Sequence, residues 1–571
     1  MKEYLEFKKA RCRDCYKCLR ECPVKAIGMT EHQATIIAER CILCGRCTKV
    51  CPQNAKIVHS KKTEVLELLA NNDMVIASVA PSFISSFSLS DFSKMRAALK
   101  EIGFAFCEET AVGANAVVKE YAKLMKRDKY DNFITSACPA VCRLIQLYYP
   151  NALKYLAPVD SPMIAHAKML KKRYPNCKIV FLGPCIAKKR EAADSGLIDG
   201  VLTFEELHDL FEERGIDLNT ITPLPESPEE TPKCANIAKY FPINRGIIKS
   251  FNSFVDDYQY IAIDGHERCL QALDNIDSVS GVFFEMSICE YGCVNGPCSI
   301  ESNGGTIKAN ADIRSYVQNE VKKYPREKEE TPLDVNINFF YPKLQGKGLT
   351  PTEDEITAIL AKTGKHTHED ELNCGACGYD SCREKAWAVY NGFADIEVCL
   401  PYMRERAESM AYEIIQNNPN GIVTLDHDIN IIDINSKARD LFGIDEFQIK
   451  GRPAIDFFDT TEFMSAIRNK KSVVCESMYI PRTNSYIHLT VNWLKGNNII
   501  FGVMKDITTD VDYNKRLTAV KMKTLETTDE VIKKQMRVAQ EIASLLGETT
   551  AETKVALLKL KQTLSEGENK E

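Results

Sequence analysis

The sequence predicts a multidomain chain of mixed α+β and α/β class, and three observations carry that prediction. Length is the first: 571 residues at about 150 per domain allow roughly four domains. Cysteine usage is the second, because 16 of the 23 cysteines fall into four patterns with the spacing of metal ligands. The third is a change of texture along the chain. Cysteine-rich turns give way near Met74 to alternating strand and helix signals, and a strand-rich stretch begins at Gly421. A charged, glycine-poor tail starts beyond Asp510.

Composition excludes several classes. Hydrophobic content of 44% supports ordinary cores, and a formal charge of -6 supplies no basic field for nucleic acid. No apolar run approaches the roughly 18 residues of a membrane span. Residues 1–11 are polar and charged, without the apolar stretch of a secretory signal, so a cytoplasmic location is expected. In that reducing compartment thiols stay free, and paired cysteines read as metal ligands rather than disulfides.

The first element is a doubled run: Cys12-x2-Cys15-x2-Cys18-x3-Cys22-Pro23, then Cys41-x2-Cys44-x2-Cys47-x3-Cys51-Pro52. It resembles the bacterial two-cluster ferredoxin, in which three close thiolates cap one [4Fe-4S] cube and the fourth crosses to the other. That logic assigns Cys12, Cys15, Cys18 and Cys51 to one cluster. Cys41, Cys44, Cys47 and Cys22 hold the second. Structural zinc is the alternative, but it usually takes two ligands in one place and two further on. Residues 1–60 are thus expected to form an electron-carrying two-cluster ferredoxin domain.

The second element is α/β. Val75–Val79 and residues 178–182 are short apolar runs that read as buried strands, and residues 164–173 read as a helix. Cysteines at strand ends can converge on one crevice although distant in sequence. Three peptides have that placement: Thr135-Ser136-Ala137-Cys138-Pro139, Gly183-Pro184-Cys185-Ile186-Ala187-Lys188, and Glu285-Met286-Ser287-Ile288-Cys289-Glu290-Tyr291-Gly292-Cys293. Together with Ala80-Pro81-Ser82 they resemble the peptides that grip the hydrogen-activating cluster of [FeFe]-hydrogenases, within a domain set at 64–345. The resemblance implies that Cys138, Cys185, Cys289 and Cys293 bind a [4Fe-4S] cube. Cys293 would bridge to a two-iron unit bearing CO, cyanide and a dithiolate, the whole being the H-cluster. Lys188 and Ser82 would donate hydrogen bonds to its cyanide ligands.

Four departures separate this chain from the catalytic pattern. Ala137 replaces the cysteine that relays protons, and a methyl group has none to pass. Positioned acid-base groups are typically worth about 10²- to 10⁴-fold in rate. Gly183 and Ser287 stand where methionines usually lie, one replaced by nothing and the other by a hydroxyl that can donate a hydrogen bond. The third peptide closes as Gly296-Pro297-Cys298 rather than on three glycines. Cys107, Cys142, Cys177, Cys234, Cys269, Cys298 and Cys475 match no ligand role and read as packing.

After a charged linker at 322–331, Thr352 begins a helix with acidic residues in its first turn. Cys374-x2-Cys377-x4-Cys382, with Cys399 further on, resembles a small [4Fe-4S] domain, set at 346–408. Gly375 and Gly378 allow tight wrapping, and zinc stays open as the alternative. Next come strands at Gly421–Leu425, through Ile434, and at 472–480, 486–493 and 499–504. A helix begins at Asn435-Ser436 and closes at Gly443. This order resembles a PAS domain, set at 410–512. His427 and His488 are candidate haem ligands, although histidines in turns and strands are usually structural.

The segment 513–571 carries Ile532, Met536, Ala539, Ile542 and Leu546 at helical spacing, with Gly547 as a stop before Glu548-Thr549-Thr550 and a second helix bearing Leu557, Leu560 and Leu564. It is expected to pack on its own domain, or else to dock a partner or form a dimer seam. Three [4Fe-4S] clusters and an H-cluster are expected in all. The whole resembles the sensory, PAS-containing group C branch of the [FeFe]-hydrogenases. That resemblance implies hydrogen and protons as substrates at low turnover, maturation proteins, a homodimer, and a downstream phosphatase or kinase. A catalytic hydrogenase subunit, or a redox sensor lacking the two-iron unit, are the alternatives.

Overall fold

The computed structural model describes residues 4–128, 130–225, 236–302, 304–324, 335–346, 348–445, 448–494, 499–546 and 550–566. Most of the expected linker, Cys234, Gly547, Glu548 and Thr549 lie outside the described residues. The chain divides into two compact units, Met1–Met403 and Arg404–Glu571.

The first unit opens with the doubled cysteine run. Strand Leu5–Phe7 pairs antiparallel with Lys56–Val58, joining the first and last stretches of the module, and Ile27–Thr30 pairs with Gln33–Ile36. Asp14 and Tyr16 have φ of 51° and 55°, and the matching positions of the second run, Leu43 and Gly45, have 56° and 74°. Left-handed residues among right-handed ones turn successive amides inward, the concave arrangement that holds anions.

Two parallel sheets follow. One runs in the order Phe106–Glu109, Val75–Val79, Lys178–Gly183, Gly200–Thr203, and the other in the order Gln259–Asp264, Val282–Ser287, Asn132–Ile134. All five residues of Val75–Val79 are buried, which parallel strands covered on both faces require. The helix expected over 164–173 begins at Pro162, where Ser161 Oγ accepts from the Ile164 amide and proline occupies the first turn.

The third cysteine set sits on a small helical unit. Thr352 and Glu355 form a capping box that starts helix Glu353–Ala361, and Ser381 caps helix Cys382–Tyr390. This unit is seated on the doubled-run module. The Met29 amide donates to Phe393 O at 3.0 Å, the Asp395 amide donates to Met29 O at 3.0 Å, and the Glu31 amide donates to Asp395 Oδ2 at 2.8 Å.

The second unit is a five-stranded antiparallel sheet in the order Ile431–Ile434, Gly421–Leu425, Ile499–Asp506, Ser485–Leu494, Val473–Ile480. Ile487, Leu489 and Val491 face its core, where Phe442 stacks on Phe458 at 4.2 Å between ring centroids. The tail differs from expectation. Helix Thr508–Leu546 is continuous, so it begins inside the segment assigned to the sheet domain and passes through the predicted boundary at 513. Neither glycine nor proline occurs in those residues, so nothing breaks it. Of the expected stripe, Ile532, Met536 and Ala539 are half-buried and Ile542 is exposed, and helix Thr550–Glu566, with Leu557 half-buried and Leu560 exposed, packs against this helix. Lys561 of that second helix pairs with Asp529 of the first at 3.0 Å.

Candidate metal centre

Each cysteine of the dispersed set follows the C-terminal end of a parallel strand. Cys138 lies between Asn132–Ile134 and helix Pro139–Tyr148, and Cys185 between Lys178–Gly183 and helix Ala187–Ser195. Cys289 and Cys293 follow Val282–Ser287. All four line one cavity of about 130 Å³. That is many times the roughly 10–15 Å³ a single water needs. Tyr291 and Gly292 between the last two cysteines are left-handed, with φ of 65° and 83°. Their thiols are close enough to raise one another's pKa. Burial pushes Cys185 up to about 11 and Cys293 up to about 12. Thiols raised in this way ionise at neutral pH when a cationic metal centre takes them as ligands.

The wall of the cavity also holds Ser82, Ala137, Lys188 and Ser287. Ser82 is fully buried, and its Oγ has no hydrogen-bond partner among the described residues. Such a group costs about 1–3 kcal/mol unless an acceptor meets it. Lys188 Nζ donates to Ser161 Oγ at 3.0 Å and to Glu191 Oε2 at 2.7 Å, which leaves the third of its protons free of these two partners. Burial works to lower its pKa, but Glu191 and the thiols of Cys185 and Cys138 outweigh this and raise it. The chemistry of this wall fits an anionic iron cluster: soft thiols, one cation and one unused hydroxyl.

Two of the predicted departures take a different form. Gly183 does not leave an empty place, because a Cβ there would meet the Phe181 ring at 2.7 Å and Ala80 at 3.2 Å. Phe181, not Gly183, reaches the cavity wall. The Ser287 hydroxyl donates to the backbone oxygen of Cys289 at 3.3 Å, so it is engaged within its own loop. Sequence reasoning assigned no role to Glu285, which also lines the cavity. Its Oε2 accepts from the Ile248 amide at 2.8 Å, and burial pushes its pKa up to about 7 against the lowering pull of the amides of residues 246–248. Only its burial distinguishes it, and that is invisible before folding.

In the doubled-run module, Cys22 lies with the second run: the thiols of Cys44, Cys41 and Cys22 each raise that of Cys47. Cys12 and Cys15 act in the same way on Cys18, beside Lys56, which also faces Cys51. Amides donate to the sulfurs of Cys22, Cys51 and Cys41 at 3.2, 3.3 and 3.4 Å. Cys44 reaches the wall of the main cavity and is an electrostatic neighbour of Cys289. Lys49 Nζ bonds Asn295 Oδ1 at 2.7 Å, and Arg143 Nε donates to Cys41 O at 2.9 Å, which fixes this module against the α/β part.

Cys374, Cys377, Cys382 and Cys399 line a third, smaller cavity of about 30 Å³. Asn373, Gly375 and Gly378 around it have φ of 45°, 65° and 92°. Arg20 ties this loop to the first run, donating to Cys15 O at 3.1 Å and to Ala376 O at 3.4 Å. Tyr379 is buried in the core that contains Cys22. Among the described residues no three His, Cys, Asp or Glu side chains converge as a single-ion site. A tetrahedral zinc with bonds near 2.3 Å would draw its sulfurs to roughly 3.8 Å of one another.

Of the remaining cysteines, Cys107, Cys142, Cys177, Cys269 and Cys298 are buried and Cys475 is half-buried. His427 is exposed in its turn, and His488 alternates with the core-facing Ile487 and Leu489, so neither enters the interior of the second unit.

Four stretches of the chain match known families. Residues 73–297 match the iron only hydrogenase large subunit, C-terminal domain, and residues 11–55 match the 4Fe-4S dicluster domain. Residues 370–401 match a putative Fe-S cluster family and 419–509 a PAS domain. The NADP-reducing hydrogenase subunit HndD of Solidesulfovibrio fructosivorans is 28% identical over 246 residues, 37% of this chain and 42% of that one. The periplasmic [Fe] hydrogenase large subunit of Nitratidesulfovibrio vulgaris is 31% identical over 145 residues, 22% of this chain and 34% of that one. The chain thus spans less than half the length of these relatives. A solved [FeFe]-hydrogenase HydA1 from Chlamydomonas reinhardtii is similar at 17% identity and a TM-score of 0.39, covering 50% of this chain and 100% of that one. An iron-only hydrogenase domain, a 4Fe-4S ferredoxin domain and a PAS domain are therefore present in one multidomain chain, and no described helix is long and apolar enough to cross a membrane.

Proposed function

We propose that this chain is a slow, hydrogen-responsive [FeFe]-hydrogenase of the sensory type, whose iron-sulfur clusters report their charge to the PAS domain. The observation that carries the reading is the cavity wall: four thiols from three strand ends, an unused buried Ser82 hydroxyl, and a methyl group at Ala137. When bound, a two-iron unit supplies the place where dihydrogen is split into two protons and two electrons. Cys138, Cys185, Cys289 and Cys293 would hold the H-cluster, with Lys188 and Ser82 as donors to its anionic ligands. Ala137 cannot pass a proton, which limits turnover.

The route outward is supported by chain order and contact. Cys44 reaches the wall that Cys289 shares, and Arg20 links the loops of Cys15 and Cys377. Cys399 is followed at once by helix Leu400–Gln416. At the far end of that helix, Asn435 Nδ2 donates to Ile415 O at 2.9 Å and Ser436 Oγ to Gln416 O at 3.0 Å. A cluster ligand is thus joined by one helix to the first turns of the PAS fold. Exposed apolar residues of Thr508–Leu546, among them Val520, Met522, Val531 and Val538, are offered to a second copy or to a downstream kinase or phosphatase.

Infrared spectroscopy of the chain produced with hydrogenase maturation proteins tests the reading. Iron-bound CO and cyanide bands that shift under hydrogen, with slow steady-state hydrogen production, are expected. Absence of those bands would leave a plain iron-sulfur redox protein, and fast turnover would leave a catalytic subunit.

A further inference from the structure

Five lysines are buried among the described residues: Lys188, Lys189, Lys239, Lys365 and Lys385. Three are paired with carboxylates, Lys188 with Glu191, Lys189 with Glu206, and Lys239 with Glu109 and Glu320. The other two have no acidic partner among the described residues, and both lie in the wall of the third cysteine cavity. Lys365 Nζ is 3.6 Å from Cys399 Sγ and donates to Thr363 O at 3.1 Å. Lys385 stands one turn beyond Cys382 on helix Cys382–Tyr390 and donates to Ile396 O at 2.7 Å. No aspartate or glutamate lines that cavity. A buried cation without a counter-charge is strongly unfavourable, and the thiols and whatever they hold are the negative charge within reach.

We propose that Lys365 and Lys385 are the built-in counter-charges of the third cluster and raise its reduction potential. The inference deepens the proposed function and rests on the reading that Cys374, Cys377, Cys382 and Cys399 hold a [4Fe-4S] cube. One-electron reduction adds one negative charge to that cube and breaks no bond. Two ammonium groups in a wall without carboxylates stabilise the reduced form more than the oxidised one. An electron held on that cube lies beside Cys399, at the root of helix Leu400–Gln416.

The test uses the full chain reconstituted with iron and sulfide, without the two-iron unit, and titrated with dithionite while paramagnetic resonance follows each cluster. Cys374→Ala should delete one component, which identifies the third cluster. If it deletes none, the cube assignment itself fails. Lys365→Gln and Lys385→Gln should each lower the reduced-to-oxidised ratio of that component about tenfold at fixed potential, equivalent to about 59 mV. Lys365→Arg should leave it nearly unchanged, as should all three variants for the other components. Gln variants that hold full iron and titrate as wild type would overturn the proposal. If the component vanishes in both Gln variants yet survives in Lys365→Arg, the counter-charge role is supported. Loss in the Arg variant as well would reduce Lys365 to packing and overturn it.

Discussion

Ala137 is half-buried in the cavity wall, between Ser136, whose hydroxyl donates to Val159 O at 2.7 Å, and the ligand candidate Cys138. A thiol at this position extends the existing wall rather than a packed core. Ala137→Cys is therefore expected to raise hydrogen production by the matured protein, by up to the 10²- to 10⁴-fold typical of a positioned acid-base group. Gas evolution from reduced viologen measures it, and an unchanged rate would place the limit elsewhere. The carboxyl in this wall belongs to Glu285. Its pKa of about 7 lies above the ordinary carboxyl value of about 4.3, so the folded chain holds that proton more tightly than the unfolded one. The resulting stability is complete below the unfolded value and is lost as pH rises through about 7. The carbonyl stretch of a protonated acid should disappear with a midpoint near pH 7 and be missing in Glu285→Gln, whose melting temperature should also lose its slope in that window. A midpoint in the normal carboxylate range would remove Glu285 from proton exchange at neutrality. That Ser82, Lys188 and the four cysteines share one wall was legible in the sequence because their peptides carry a signature. Glu285, Phe181, Lys365 and Lys385 were not, since their importance comes from burial and from the partners they lack.

Among the elements, the strands and capped helices were readable wherever one strong local signal governs. Val75–Val79 is an apolar run, Thr352 with Glu355 is a capping box, and Asn435 with Gly443 brackets a helix. Reading failed where an element continues because nothing stops it, as in Thr508–Leu546. It also gave no hint of the seam between the third cysteine unit and the doubled-run module, which is made by backbone groups of residues far apart in sequence. That seam can be opened selectively. Gly28 lies in strand Ile27–Thr30, and a Cβ there would come within 2.9 Å of Phe393 O. Gly28→Val should strain the seam by about 1–3 kcal/mol, the usual cost of overpacking. Hydrogen exchange should then rise at the amides of Met29 and Asp395, while magnetic coupling between the third cluster and its neighbours weakens. Unaltered coupling would mean that electrons do not need this contact.

For the molecule as a whole, the proposed function requires that a charge in the first unit be felt in the second. The two units are separate clusters of contacts, so chain continuity through helix Leu400–Gln416 is the connection in hand. Asn435 anchors the far end of that helix. It is fully buried, its Oδ1 accepts from the amides of Ile422 and Ala438 at 2.8 and 2.9 Å, and its Nδ2 donates to Ile415 O and Asn420 O, each at 2.9 Å. One side chain therefore ties the incoming helix, the first sheet strand and the first PAS helix together. Asn435→Ala would strand these buried groups at about 1–3 kcal/mol for each one left unsatisfied. Because its contacts lie within the second unit, the clusters should be untouched. Hydrogen should still bleach their absorbance in the variant as in the parent chain. What should vanish is the hydrogen-dependent change in amide exchange over strands Gly421–Leu425 and Ile499–Asp506. A one-electron shift of about 59 mV between two PAS arrangements moves their populations tenfold, so the parent response is large enough to read. If the variant keeps that response, the signal crosses by a path other than this helix.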